Sequence, residues 1–109
     1  MERMFYYCYS LTFLNVSSFD TSQVTNMINM FYDCESLTSL NLMNFNTSSV
    51  KNMWNMFGYC YALKYLEINF DTSSVTNMGN LFYACNNLLS LNITSFDTQL
   101  VTNMTSMFQ

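Results

Sequence analysis

The sequence predicts an α/β-type repeat solenoid, each 25–26-residue turn supplying one short parallel strand and one short helix or 3₁₀ turn. Three observations predict it. FDTS at 19–22 returns as FNTS at 45–48, FDTS at 70–73 and FDTQ at 96–99, while VTNM at 24–27 returns at 50–53 (as VKNM), 75–78 and 101–104. The Met-Phe pair at 4–5 recurs at 30–31, 56–57 and 107–108 and as Leu81-Phe82, so the step is 26, 26, 25 and 26 residues. The four cysteines, Cys8, Cys34, Cys60 and Cys85, keep that step. Residues 1–109 are therefore expected to form one array of about four units. The chain begins and stops inside the segment expected to be helical. A stack of this kind needs a polar outer face on its last unit, so the expectation is a fragment of a longer array, lacking caps.

The opening MERMFYYCYSLTFLNV is in register with the later copies through Met4, Phe5, Cys8, Leu11, Leu14 and Val16, and reads as structure rather than as a leader. Asp20-Thr21-Ser22 supplies Asx-turn and N-cap chemistry, since short side-chain oxygens accept backbone N–H groups where a chain turns. Met27, Met30, Phe31, Cys34 and Leu37 then recur at one-sided helical spacing, which predicts a short helix or 3₁₀ turn (NMxxMFxxC) over 26–34. The unit closes on LxxLxL, a leucine-rich-repeat kernel. It stands as Leu11/Leu14/Val16, Leu37/Leu40/Leu42, Leu63/Leu66/Ile68 and Leu88/Leu91/Ile93. Its last two members are two apart and share one side of a strand, with LxxLNL copies pairing in parallel. The third unit is one residue short after its strand and carries Glu67 where the others have Asn15, Asn41 and Asn92.

Composition narrows the function. Half the residues are hydrophobic and 9% are charged, enough for a continuous core with a surface of Asn, Ser and Thr. A net charge of −4, with Arg3, Lys51 and Lys64 the only cationic side chains, argues against a nucleic-acid partner, which requires a basic face. No apolar run approaches the ~18 residues of a membrane span, so this segment is not expected to insert. With no histidine, and no carboxylate matched to a nucleophile, an enzyme is not expected. Nothing points to a cofactor or a metal.

Four columns carry whatever chemistry there is. The cysteines fall on the buried face, where side chains in a ladder point in parallel and suit free thiols better than bridges. Asp20, Asn46, Asp71 and Asp97 read as turn caps; stacked carboxylates could also collect Ca²⁺, but the chain has only two glycines for the loops such sites use. Tyr6, Tyr32 and Tyr83 form one aromatic column, Tyr7 and Tyr59 the next, and Tyr9 and Tyr61 a third, an amphipathic flank suited to binding or to covering the core edge. The outward strand face carries Phe13, Asn15, Ser39, Asn41, Tyr65, Glu67, Ser90 and Asn92, and is the expected binding face. Sequons at Asn15, Asn46, Asn92 and Asn103 are no more than this composition gives by chance.

The repeat FDTSxVTNMxxMFxxCxxLxSLNL resembles the units of BspA-like leucine-rich-repeat bacterial surface proteins over essentially the whole chain. The resemblance implies a right-handed leucine-rich-repeat coil, a secreted or lipoprotein setting at the cell surface, and adhesion to host or matrix protein. It brings no catalytic residues. The expected function is a non-enzymatic binding module with a protein or glycan ligand. The alternatives are a structural spacer, or a solenoid that self-associates end to end through uncapped ends. Variation along the outward column (Phe13, Ser39, Tyr65, Ser90) favours binding over a monotonous spacer.

Overall fold

Backbone hydrogen bonds between equivalent positions of neighbouring repeats organise the chain. The computed structural model describes residues 1–109. In the second unit the N–H groups of Met27, Asn29, Phe31 and Asp33 donate to Asn52, Trp54, Met56 and Gly58 of the third, at 2.8–3.1 Å. Those of Met30, Tyr32 and Cys34 turn back to the carbonyls of Met27, Asn29 and Phe31 at 3.2 Å. Alternate residues thus bond forward to the next unit and backward within a tight turn. Asn26, Asn52, Asn77 and Asn103 mark the start of this run in every unit, bridged in parallel one to the next. Each lends its Oδ1 to the N–H two residues on, at 2.9–3.0 Å.

This pattern corrects the expected short helix or 3₁₀ turn over 26–34: the bonds three residues back are single turns, never consecutive, and build no helix. The structure contains no helix; its only regular elements are two strands of three residues. A helix would direct each N–H to the carbonyl four residues back, but here every second one is taken by the neighbouring unit. The backbone must also pass through the left-handed region twice per unit, at Asn29 (φ 53°) and Asp33 (φ 62°), then at Asn55 and Tyr59 and at Asn80 and Ala84. A right-handed helix cannot run through such residues.

The kernel does form strand, in the middle of the molecule. Strand β1 spans Ser39–Asn41 and β2 spans Tyr65–Glu67. They pair in parallel, Ser39 with Tyr65, Leu40 with Leu66 and Asn41 with Glu67. Leu40 and Leu66 point inward and their neighbours outward, the period-2 alternation of a half-buried strand. Ser90 adds a single bridge to Tyr65. One strand per unit was expected; two of the four copies pair as strands.

The expected α/β-type solenoid, a right-handed leucine-rich-repeat coil, is corrected as well. The body measures 34 × 31 × 23 Å with a radius of gyration of 12.5 Å, a compact globule built mainly from turns. Its core holds 23 buried hydrophobic residues from the columns that repeat most faithfully. Phe5, Phe31, Phe57, Phe82 and Phe108 stack through it at 5.4–5.6 Å between ring centroids. Burial fades at both ends of the stack: Phe31 and Phe57 are fully buried, Phe5 is half-buried and Phe108 exposed. No helix is long and apolar enough to cross a membrane.

The short third unit is absorbed without loss of register. Elsewhere the N–H of the repeat phenylalanine closes a turn onto the strand end: Phe19 on Val16, Phe45 on Leu42 and Phe96 on Ile93, each at 3.0 Å. Phe70 lacks that turn bond; its carbonyl accepts instead from the Ser95 hydroxyl at 2.9 Å. Phe70 is nonetheless fully buried.

Candidate functional site

Phe13, Ser39 and Tyr65 stand in one outward row across the strands, and Asn15, Asn41 and Glu67 in the next. All six line a groove of about 580 Å³, together with Met43 and Asn44. Ser39 is small and sits between two large rings, so it forms the floor while Phe13 and Tyr65 rise as walls. Those rings are 73% and 57% exposed, unusually open for aromatic side chains. Ser90 and Asn92 belong to the same rows but lie outside the groove.

The asparagines of this face have local work. Asn15 Oδ1 accepts from the Ser17 N–H, Asn41 Oδ1 from the Met43 N–H and Asn92 Oδ1 from the Thr94 N–H, each at 3.0 Å. They cap the turn that follows the strand. Glu67 caps no turn, and the third unit is one residue short at that point. Its carboxylate instead accepts from the Asn41 side-chain amide across the strand pair. Glu67 was visible in the sequence as an exception to the asparagine column.

The tyrosine flank is continuous. Ring centroids lie 5.1 Å apart for Tyr6 and Tyr32, 5.4 Å for Tyr7 and Tyr9, 5.3 Å for Tyr32 and Tyr59, 5.8 Å for Tyr59 and Tyr61, and 5.2 Å for Tyr59 and Tyr83. All seven predicted tyrosines thus form one patch. Crowding removes water from their hydroxyls and holds Tyr9, Tyr32, Tyr59 and Tyr61 above the ordinary phenol range, burial being the leading cause. Tyr7 is pushed up to about 12, first by its hydrogen bond with Tyr6. Two members of the same columns were missed in the sequence: Asp33 stands in the column of Tyr7 and Tyr59, and Glu35 in that of Tyr9 and Tyr61. Aligning the units row by row finds both.

The remaining columns are structural. Asp20 and Asp71 accept from the N–H groups of Ser22 and Ser73 at 2.9 and 3.0 Å, and bonds from those serines hold both carboxyls below their usual range. Asn46 and Asp97 cap their turns in the same way. The threonine beside them does not cap a helix. Its hydroxyl crosses to the next unit: Thr21 to the Asn46 carbonyl at 3.0 Å, Thr47 to Asp71 at 2.9 Å and Thr72 to Asp97 at 2.8 Å. All four cysteines are free thiols.

A family model described as "Mycoplasma protein of unknown function, DUF285" matches residues 1–68 and again 64–109, which together span the chain. No curated protein and no solved structure matches it. The match corrects the resemblance to BspA-like leucine-rich-repeat surface proteins, since the family it identifies is a different one whose description carries neither leucine-rich repeats nor a surface role.

Proposed function

We propose, for a chain that belongs to the DUF285 family of Mycoplasma proteins of unknown function, a recognition role without catalysis: it binds a protein or glycan ligand in the groove over β1 and β2. One observation carries this reading. Two exposed aromatic walls, Phe13 and Tyr65, flank a small polar floor, with the amide of Asn41 and the carboxylate of Glu67 at one side. Aromatic rings supply contact area at low entropic cost, and a few fixed polar groups set orientation. The variation of this row from unit to unit, against nearly invariant inward columns, supports recognition over a spacer role.

The test is a screen of glycan and protein arrays with the wild-type chain, a Phe13→Ser/Tyr65→Ser variant and Glu67→Gln. Wild type is expected to bind a defined subset, with the double variant losing at least about tenfold in affinity, as for removal of interface anchors. Retention of every hit by both variants would sink the proposal.

Association between copies is a second reading. The last unit presents Leu89 and Phe108, 67% and 61% exposed, around a groove of about 410 Å³. Sedimentation across a hundredfold concentration range tests it; a constant monomer mass rejects it.

A further inference from the structure

The tyrosine flank encloses two carboxylates. Rung bonds hold its rows side by side: Tyr7 N–H donates to Tyr32, Asp33 N–H to Gly58 and Tyr59 N–H to Tyr83, at 2.8–2.9 Å. Asp33 therefore lies between Tyr7 and Tyr59, and Glu35, two residues on, lies between Tyr9 and Tyr61. Tyr7, Asp33 and Tyr59 share left-handed backbone, with φ of 60°, 62° and 60°, so they leave the stack in a common direction. The rings remain accessible, Tyr7, Tyr9 and Tyr61 being 45%, 47% and 38% exposed.

No cation of this chain answers the two carboxylates. The one ion pair joins Arg3 to Glu2 at 3.8 Å. Burial and the neighbouring Glu35 charge both raise Asp33, and no lysine or arginine is among the charges that act on it. The flank nonetheless already holds a cation at its edge: the Arg3 guanidinium lies 5.5 Å from the ring centroid of Tyr6, which stacks on Tyr32. A planar guanidinium can meet the negative face of a ring and a carboxylate together, which a compact ammonium does less well.

We propose that the patch centred on Asp33 and Glu35, walled by Tyr7, Tyr9, Tyr59 and Tyr61, is a docking site for arginine side chains of a basic peptide segment. Guanidinium groups lie against the tyrosine faces and donate to the two carboxylates. Charge complementarity names the occupant: the chain is acidic overall, and this flank concentrates unmatched negative charge among aromatic rings. The site shares no residue with the strand groove, so either can fail without the other.

Titration of the 109-residue protein with an end-blocked tetra-arginine peptide, followed by calorimetry and by NMR of the tyrosine rings, tests it. Saturable binding at low salt is expected, with Glu35→Gln and Tyr61→Leu each weakening it about 5- to 10-fold. Asp33→Asn, which keeps a residue tolerant of left-handed backbone, is expected to do the same. Gln99→Ala, an exposed position outside both the flank and the strand groove, should leave the affinity unchanged. The proposal is overturned by absence of binding, by equal binding of a citrulline peptide, by equal affinity for tetra-lysine, or by indifference to Glu35→Gln and Tyr61→Leu.

Discussion

The thiol of Cys60 donates to the carbonyl oxygen of Phe31, 29 residues earlier, at 3.2 Å. Cys34 makes the same bond to Phe5 at 3.2 Å and Cys85 to Phe57 at 3.0 Å. The cysteine column is thus a set of weak donors joining successive units, each adding a second bond to a carbonyl that already accepts an N–H within its own turn.

That arrangement fixes a pH dependence. Burial pushes Cys34 and Cys85 up to about 12, from an ordinary value of 9.0, and raises Cys60 well above it. The folded chain holds these protons more tightly than the unfolded chain does. Their contribution is therefore whole below pH 9 and is lost as pH rises toward 12. Melting temperature is expected to fall steeply over that window, and to fall less in a Cys34→Ala/Cys60→Ala variant. A thiol reagent at pH 8 should label Cys34 and Cys60 only on unfolding. Equal slopes, or rapid labelling of the native chain, would contradict this.

Thr72 makes two bonds to one residue. Its hydroxyl donates to the Asp97 carbonyl at 2.8 Å and accepts the Asp97 N–H at 2.7 Å, in a fully buried position. Thr72→Val keeps the shape and strands both backbone groups, so a loss of about 1–3 kcal/mol is expected in urea unfolding. Thr98, its exposed counterpart, supplies the control; Thr98→Val should stay within about 0.5 kcal/mol.

The phenylalanine stack predicts a gradient of sensitivity. Phe57 lies between Phe31 and Phe82 at 5.6 Å from each and is fully buried. Phe57→Ala is expected to cost about 3–5 kcal/mol. Phe108 has a ring neighbour on one side only and is 61% exposed, so Phe108→Ala should cost under about 1 kcal/mol. Chemical denaturation of the two variants side by side checks the ordering.

Ala84 occupies left-handed backbone at φ 57° with no polar side chain to compensate. Glycine relieves about 1–2 kcal/mol of steric cost there and forfeits about 0.4–1 kcal/mol through a freer unfolded chain. Ala84→Gly should raise the melting temperature by a few degrees; a decrease would mean that the Ala84 methyl group packs more than its conformation costs.

The repeat columns were legible in the sequence; the solenoid coil and its helix were not what formed. The inward columns were legible because burial tolerates little change: Met27, Met53 and Met78, or Leu37 and Leu63, repeat and are fully buried. Strands β1 and β2 were legible for the same reason, Leu40 and Leu66 alternating with polar neighbours. The short helix or 3₁₀ turn was misread because Met27, Met30, Phe31 and Cys34 suit one helical face and a chain of turns equally well. What decides between them is the partner of each N–H, and that partner lies one unit away. Left-handed positions escaped notice because Asn29, Asp33 and Tyr59 hold them rather than glycine. At the strand face, Phe13 and Tyr65 were visible as variable outward residues, whereas the groove between them depends on the small Ser39 standing beside both. Asp33 and Glu35 break columns otherwise held by tyrosine, and the repeat alignment alone places them there.

The bonds that join units share one property, their span. Side-chain bonds between units link residues 24–29 positions apart, and the backbone rungs do likewise. A mean separation near a quarter of the chain places the protein at a relative contact order of roughly 0.2, among domains that fold in milliseconds to seconds. Slowness here would not come from any distant pairing, since every tertiary bond closes a loop of nearly the same length. The central pair of units, joined by β1 and β2 as well as by rungs and buried most deeply, is the natural starting point. Once one pair has formed, every later unit meets the same closure cost and finds a ready row of carbonyls or amides to dock against.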